Sequence, residues 1–353
     1  TIINIFQLRD IQEKNGEQGC NRYIISNSED MFAVLFVFSL FRWSGYPAHK
    51  LNFDIVPLFE TMHGMAEGAA IMQKLFNIKQ YREHVVKRGE RQTIMLGFSD
   101  GTKDGGFLKA NWSIFKTKEA LSTVCSENDI DVIFFDGRGG PPARGGGKSH
   151  RFYAAQSEKI ANHEIQLTIQ GQTITSRYGT QEQFMHNCDQ LLTAGLSREL
   201  QDEKICIDKE ARSLIDELAE ISYRKYLDLK EHPLFVPYLE HKSPLKYYNE
   251  ANIGSRPARR GNKDKLEFSD LRAIPFVGSW SQMKQNVPGY FGLGSALKAL
   301  TEKGELDALK KLFSDVPFFK ALIMNSMMSL SKSNFALTKH MGNDPVYGDF
   351  WRI

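Results

Sequence analysis

Short apolar runs recur along the first 140 residues, and each is followed by a longer segment whose apolar positions repeat every three to four residues. The runs end at residues 26, 60, 100 and 136, so their ends are 34, 40 and 36 residues apart. This spacing fits one strand, one loop and one helix per unit, with helices predicted over 31–41, 65–86 and 108–127. Repeated βα units favour a parallel sheet or a (β/α) barrel, and an open doubly wound sheet is the alternative.

The pattern changes after residue 150. Capping-box sequences at 26–29 and 180–183 predict where two helices begin. The other predicted elements are strands at 165–170, 173–177 and 271–280, a helix at 208–229, a loop-rich stretch at 233–265, and helices between 290 and 340 that break at Gly304 and Pro317. The predicted fold class is therefore α/β with a large helical C-terminal portion.

Composition and charge narrow the class of function. Of the 353 residues, 41% are hydrophobic, which is enough for a large core or two domains. The 45 Lys and Arg against 42 Asp and Glu give a net charge of +3, too small to indicate nucleic acid. The bases concentrate in 138–151 and 256–260, which suits a small anion. Four cysteines without a Cys-x-x-Cys pair argue against structural zinc and a disulfide framework, and fit a reducing, cytoplasmic compartment.

No segment predicts a membrane span or a secretion signal. The longest apolar run, 31–41, is too short to cross a bilayer. Charged residues interrupt the start of the chain, which argues against a signal peptide. The sequence opens on Thr1 and carries no start signal, so we expect a fragment or a processed chain.

A glycine-rich stretch directly follows the fourth predicted strand. Six glycines lie between 137 and 147, with Arg138 and Arg144 among them. Glycines let backbone N–H groups converge on a ligand, and guanidinium groups match the oxygens of phosphate or carboxylate. The pattern predicts an anion site at the carboxyl end of a sheet, with a flexible RNA-binding Arg-Gly-Gly segment as the alternative. It is not a Walker loop, because Pro142 stands where that loop begins with glycine.

Acidic and basic side chains recur near the ends of the predicted strands. Glu60 and Asp100 end consecutive strands, which face the same mouth in a barrel, and two carboxylates suit Mg²⁺ or Mn²⁺. Capping of the following helices is an equal alternative. Lys103, Arg256 and Arg272 would add positive charge, although each alone fits a solvated surface residue. Together these residues predict a metal and a substrate that carries phosphate and carboxylate, with electrostatic stabilisation of developing negative charge.

Five motifs occur along the chain in a fixed order. They are Val-Pro-Leu-Phe-Glu at 56–60, Gly-Phe-Ser-Asp-Gly-Thr-Lys-Asp-Gly at 97–105, Asp-Gly-Arg-Gly-Gly-Pro-Pro-Ala-Arg-Gly-Gly-Gly at 136–147, Ile-Gly-Ser-Arg-Pro-Ala-Arg at 253–259 and Leu-Arg-Ala-Ile-Pro-Phe at 271–276. Together they resemble the C-terminal half of phosphoenolpyruvate carboxylase, over roughly 20–335. The resemblance implies part of an eight-stranded (β/α) barrel over 1–285, a helical region over 286–353, and a homotetramer. It also implies carboxylation of phosphoenolpyruvate by bicarbonate, giving oxaloacetate and phosphate.

The resemblance further implies roles for individual residues. The implied set is Glu60 and Asp100 for the metal; Lys103, Arg138, Arg144 and Arg272 for catalysis; Arg256, Arg272, Gly139 and Gly140 for substrate; and Arg144 with Lys332 for an inhibitory effector, aspartate or malate. Lys103, Arg256 and Arg272 would bind phosphate or polarise substrate. Arg138 and Arg144 would lie on a mobile loop that closes over bicarbonate and carboxyphosphate.

Two departures from the family pattern change the prediction. Asp136 stands where many members have histidine directly before Gly-Arg-Gly-Gly, and no histidine of this sequence lies in a Thr-Ala-His-Pro-Thr-Glu motif. That motif and the first barrel strands belong to the family's N-terminal half, so we expect this polypeptide alone to be inactive. The alternatives are another lyase or phosphotransferase of the phosphoenolpyruvate/pyruvate barrel type, and a non-catalytic module that binds anions, effectors or partner subunits.

Overall fold

The computed structural model describes residues 2–47, 50–161, 163–200, 205–249 and 266–353. Over these residues the chain is α/β with one parallel sheet, which confirms that part of the predicted fold class. The chain divides into two compact units. Unit 1 comprises Thr1–Gly97, Ser113–Gly137 and Ser157–Thr168, and unit 2 comprises Phe98–Trp112, Arg138–Gln156 and Ile169–Ile353.

Five parallel strands of unit 1 form the sheet, in the order of the sequence. They are β1 (Arg22–Ile25), β2 (Asp54–Phe59), β3 (Arg91–Gly97), β4 (Asp131–Gly137) and β5 (Ile165–Leu167). A doubly wound sheet reverses its strand order at a switch point, and no reversal occurs among these five strands. The sheet therefore consists of successive βα units laid side by side.

The register brings the carboxyl ends of three strands level with one another. Phe59 of β2 pairs with Leu96 of β3, and Leu96 pairs with Asp136 of β4. The residues that follow these pairs therefore lie along the carboxyl-terminal end of the sheet, where the functional side chains of parallel sheets converge. Pairing between β3 and β4 ends at Gly97 and Gly137.

Among the described residues up to 127 there are six α-helices, most of them in unit 1. They are α1 (Ile2–Asn15), α2 (Met31–Trp43), α3 (Met62–Phe76), α4 (Lys79–Lys87), α5 (Phe98–Gly105) and α6 (Phe107–Glu127), of which α5 and the start of α6 belong to unit 2. The predicted capping box at 26–29 is wrong, because the Asp30 side chain accepts the Ala33 N–H at 2.9 Å and begins α2. The helix predicted over 65–86 is two helices, α3 and α4.

The strand predicted to end at Asp100 stops three residues earlier. Its pairing with β4 ends at Gly97, and the backbone turns into α5 at Phe98. Residues 101–105 are therefore helical. Asp100 and Lys103 lie on α5 and not at a strand end, which corrects the spacing argument at this position.

Unit 2 is helical in the described residues. Its further helices are α7 (Ser149–Ala154), α8 (Gln172–Tyr178), α9 (Gln181–Leu200), α10 (Lys209–Lys230), α11 (Phe235–Lys242), α12 (Ala273–Gln282), α13 (Leu293–Glu302), α14 (Leu306–Asp315), α15 (Pro317–Ser331) and α16 (Gly348–Trp351). The predicted helix at 208–229 and the breaks at Gly304 and Pro317 are confirmed. The capping box at 180–183 is supported by the Gln183 N–H, which donates to Thr180 Oγ1 at 3.2 Å.

Two predicted strands are helices. Residues 173–177 lie in α8, and 271–280 mostly in α12. Four of the six buried residues of α12, Ala273, Phe276, Val277 and Trp280, are spaced by three, one and three positions, which is the helical period and not the alternation of a strand. Of the stretch predicted as loop-rich, α11 and a 3₁₀ turn at Pro244–Asn249 are described, and its remainder lies outside the described residues. None of the described helices is both long and apolar enough to span a membrane.

Candidate active site

Glu60 directly follows β2 and is buried in unit 1. Its Oε1 accepts the Asn27 N–H at 3.1 Å, and its Cβ packs against Gly97, where any added Cβ would lie only 2.5 Å away. The helix that follows is capped by Thr61, whose side chain accepts the Gly64 N–H. The capping alternative is therefore wrong for Glu60, whose carboxylate is held at the carboxyl edge of the sheet.

Asp100 and Lys103 both lie on α5 in unit 2. Asp100 is half-buried in the first turn of that helix. Lys103 is only 9% exposed, and its Nζ lies 4.7 Å from the centroid of the Phe268 ring. The Tyr226 hydroxyl donates to the Lys103 carbonyl at 2.6 Å, which ties α5 to α10. Lys103 is thus not a solvated surface residue, which its sequence alone allowed.

Arg138 is the most enclosed cation of the glycine-rich loop, with 4% exposure. Its Nε donates to the Gly145 carbonyl at 2.5 Å, and its guanidinium carbon lies 4.3 Å from the centroid of the Phe152 ring. Stacking on an aromatic face favours a desolvated guanidinium. The Nη1 atom is buried and donates to no acceptor in the described part of the chain. A buried donor of this kind suits an anionic ligand.

The Arg144 side chain extends from the glycine-rich loop to the first turn of α5. Its Nε donates to Ser99 Oγ at 3.1 Å, and an Nη atom donates to Gln170 Oε1. Burial lowers the pKa of the Arg144 guanidinium, and the Asp100 carboxylate acts in the opposite direction. The structure therefore places Arg144 beside the first turn of α5, which carries both Ser99 and Asp100.

The glycine-rich loop closes on itself around Arg144. The Gly139 N–H donates to the Arg144 carbonyl at 2.6 Å, and a Cβ at Gly139 would lie 2.8 Å from the Arg144 Cβ. Gly139 is thus needed for close approach, and its N–H is used inside the loop. Gly140 packs beside Thr173. The loop also meets α15, where Asn325 Nδ2 donates to the Gly146 carbonyl at 3.5 Å.

The structure describes two of the three remaining predicted site residues. Arg272 is half-buried at the N-cap of α12, a helix that packs against α5. Lys332 is exposed at the C-terminal end of α15, the helix that contacts the loop. Arg256 lies outside the described residues. The metal, substrate and effector roles of the whole set stay predictions, and Glu60 and Asp100 belong to different units.

Sequence reasoning missed the partners that position this set. Ser99, Gln170 and Asn325 hold the loop, and nothing in their local sequence distinguishes them from ordinary polar residues. Lys118 was also missed. Its Nζ donates to Asp136 Oδ2 at 2.8 Å, with both side chains buried. A signal for Lys118 was present, because it interrupts the apolar positions Ile114, Leu121 and Cys125 on one face of α6.

Chemically, the arrangement is suited to binding and stabilising anions. Lys103, Arg138 and Arg144 are cationic groups of unit 2 removed from water to different degrees, and such groups act more strongly on negative charge than exposed ones. Within the described ranges no group of three or more His, Cys, Asp or Glu side chains is placed to hold a metal ion. The carboxylates at 60 and 100 are hard oxygen donors, which fit a cation that takes most of its ligands from water and substrate.

Comparison with known proteins gives one consistent result. A family model described as "Phosphoenolpyruvate carboxylase" matches residues 1–346. The chain is 36% identical over 307 residues to the phosphoenolpyruvate carboxylase of Corynebacterium diphtheriae, covering 84% of this chain and 34% of that protein. It is 36% identical over 293 residues to that of Corynebacterium glutamicum, covering 81% of this chain and 32% of that protein. The chain thus spans about a third of the length of these curated relatives.

Proposed function

The chain belongs to the phosphoenolpyruvate carboxylase family, and we propose that it forms the C-terminal catalytic part of such an enzyme. The reaction would carboxylate phosphoenolpyruvate with bicarbonate and yield oxaloacetate and phosphate. The observation that carries the proposal is the glycine-rich loop, whose two arginines are enclosed by aromatic rings, Ser99 and Gln170. Both substrates are anions, and phosphoenolpyruvate carries a phosphate and a carboxylate as the cation set requires.

Each cation would act where negative charge is bound or develops. Arg138 has a buried donor, Nη1, that can reach a substrate oxygen while Gly145 and Phe152 hold the rest of its guanidinium. Arg144 would bridge loop and α5 over bicarbonate and carboxyphosphate, supported by its contacts to Ser99 and Gln170. Lys103, Arg256 and Arg272 would bind phosphate or polarise substrate. Gly139 and Gly140 would let the substrate approach the backbone of the loop closely.

Glu60 and Asp100 would hold Mg²⁺ or Mn²⁺. The donor set fits, because two carboxylates without His or Cys are the ligands that these hard cations prefer. When bound, the ion would supply Lewis-acid stabilisation of negative charge on the substrate. Titration with Mn²⁺ followed by its electron paramagnetic resonance signal tests this without activity. Glu60→Gln and Asp100→Asn should each lower the affinity for Mn²⁺ at least tenfold, whereas Asp307→Asn, on the exposed side of α14, should not.

The sheet supports the proposal of a (β/α) barrel. Its strand order follows the sequence, and β1 and β5 form its two edges. Beside β1, helix α2 exposes the large apolar side chains Phe32, Phe36 and Trp43. Open strand edges and exposed aromatic residues are normally covered in stable proteins. Further βα units of the same enzyme would cover them, as part of a cytoplasmic homotetramer.

Carboxylation is tested on the complete product of the gene with ¹³C-bicarbonate. The proposal expects Mg²⁺-dependent oxaloacetate that carries the label at its new carboxyl group, together with equimolar phosphate. Arg138→Ala should abolish product formation, since the loop would lose its buried donor. Product that forms without bicarbonate would instead favour another phosphoenolpyruvate-using lyase or phosphotransferase. Binding of phosphoenolpyruvate without any turnover would favour a non-catalytic anion-binding module.

A further inference from the structure

Two side chains of α10 bind the end of α5, and all the residues concerned belong to unit 2. The last carbonyl groups of a helix have no further turn of the same helix to bond to. The Tyr226 hydroxyl donates to the Lys103 carbonyl at 2.6 Å, and the Lys230 ammonium donates at 2.7 Å to the carbonyl of the following residue, Asp104. Because Tyr226 and Lys230 lie one turn apart, a single face of α10 caps two successive carbonyls of α5.

Tyr226 is fixed against α5 by packing as well as by its hydrogen bond. The side chain is 1% exposed, and the chain leaves α5 through Gly106, which has a φ of +74°. A Cβ added at Gly106 would lie 2.9 Å from Tyr226 Cγ, so the ring lies directly against this turn. Burial raises the pKa of the Tyr226 hydroxyl, which therefore keeps its proton and its role as a donor.

The Phe268 ring contacts the ammonium groups of both lysines. Its centroid lies 4.7 Å from Lys103 Nζ and 5.4 Å from Lys230 Nζ. The ring is itself packed against Phe235 and Phe276, whose ring centroids are 5.9 and 6.0 Å away. A lysine side chain is long and flexible, and ordering it costs conformational entropy. Here the Lys103 backbone is bound from α10 and its ammonium contacts a packed ring, so both ends of the side chain are constrained.

We propose that Tyr226 and Lys230 are positioning residues for the reaction, which hold the end of α5 so that the Lys103 ammonium is in place to meet the phosphate of the substrate. This inference rests on the proposed function, in which Lys103 binds phosphate or polarises substrate. A cation that is already in place stabilises negative charge without the cost of ordering it during binding or reaction. Both donors bind the backbone of α5, so removing either one leaves the Lys103 side chain itself unchanged.

The kinetic test compares Tyr226→Phe and Lys230→Met in the complete gene product. Each should lower kcat/KM for phosphoenolpyruvate about tenfold, whereas Lys230→Arg, which keeps a donor for the Asp104 carbonyl, should restore most of the value. The matched controls on the same helix are Tyr223→Phe, at a half-buried position, and Lys225→Met, at an exposed one. These controls should change kcat/KM less than about twofold.

Chemical labelling of lysines tests the position of Lys103 without any measurement of activity. A pulse of acetic anhydride, read by mass spectrometry, should acetylate Lys103 slowly in the wild type, because its side chain is 9% exposed. Tyr226→Phe should raise the rate at Lys103 about fivefold and leave it unchanged at the buried Lys118 and the exposed Lys339. An unchanged rate at Lys103, or an equal rise at Lys118 that indicates general loosening, would overturn the inference.

The remaining outcomes also separate positioning from a purely structural role. A kcat/KM that stays at the wild-type value in both variants, or a Lys230→Arg variant as impaired as Lys230→Met, would overturn the inference. If Tyr226→Phe does not fold, Lys230→Met, at a half-buried position, carries both measurements. A wild-type protein that forms no bicarbonate-dependent oxaloacetate would instead refute the proposed function, and the labelling would still show whether α10 holds Lys103.

Discussion

Arg138 shows how a single guanidinium can be both held and left able to bind. Its Nε is used by the Gly145 carbonyl and its plane rests on Phe152, yet Nη1 remains buried and available. Lysine at this position would keep the charge and lose both the stacking and the forked donors. We expect Arg138→Lys to raise the KM for bicarbonate of the complete gene product about tenfold, whereas Arg151→Lys, at an exposed position on α7, should leave it unchanged. Equal KM values for the two variants would contradict the assignment of Arg138.

His84 gives the chain a specific sensitivity to acid. It is 4% exposed beside Phe38 and Tyr81, and burial, assisted by Arg88, lowers its pKa from 6.5 to about 4. Above pH 6.5 the histidine is neutral in the folded and unfolded chain, so it has no effect on the pH dependence of stability. Between pH 6.5 and 4 the unfolded chain binds the proton first, and the free energy of unfolding should fall by about 3 kcal/mol.

Urea unfolding of the chain at pH 7 and pH 4.5 measures this effect. His84→Gln should flatten the acid slope in that window, because glutamine does not titrate there. His340→Gln, at an exposed position, serves as the control and should keep the slope. A slope that survives in His84→Gln would assign the acid sensitivity to other groups.

The sequence predicted the surroundings of some site residues and not of others. The glycine spacing around Arg138 and Arg144 predicted an anion site, and the close approach of Gly139 to Arg144 depends on the missing side chain that such spacing signals. The burial of Lys103 could not be predicted, since it depends on Phe268 and Tyr226, more than one hundred residues away in the sequence. The Lys118–Asp136 pair spans α6 and β4, so neither residue's local sequence names its partner.

At the scale of elements, the strands and their order followed from apolar runs that recur once per βα unit. The errors arose where a short apolar run also fits a helix. In α12 the chain contains Pro275, and Pro in the first turn is compatible with a helix but interrupts a central strand. In β3 the apolar run continues to Phe98, but the strand ends where its neighbour β4 ends. Strand limits are thus set by pairing, which a single segment does not encode.

The junction of β2 and β3 provides a test at this scale. A methyl group at Gly97 would meet the Glu60 Cβ at 2.5 Å, so the strand ends would have to separate. Gly97→Ala should lower the free energy of unfolding by about 1–3 kcal/mol and weaken Mn²⁺ binding through displacement of Glu60.

The matched control is Gly294→Ala in α13, where nothing lies within 4 Å of the added Cβ. There alanine should stabilise the chain by about 1 kcal/mol. Thermal unfolding of both variants gives the comparison, and a neutral Gly97→Ala would contradict it.

For the whole molecule, the decisive question is whether this chain acts alone. We expect the 353-residue polypeptide by itself to form no oxaloacetate, because its sequence contains no Thr-Ala-His-Pro-Thr-Glu motif and the five strands of the described residues do not close a barrel. Mixing it with the separately produced N-terminal half should restore carboxylation, driven by burial of the aromatic side chains that α2 exposes.

Replacing both Phe36 and Trp43 by serine should therefore raise the concentration of N-terminal half needed for half-maximal activity at least tenfold. Leu192→Ser, an equally exposed apolar position on α9, should not. Full activity of the polypeptide alone would show that it needs no second part, and an unchanged requirement in the α2 variant would place the contact elsewhere.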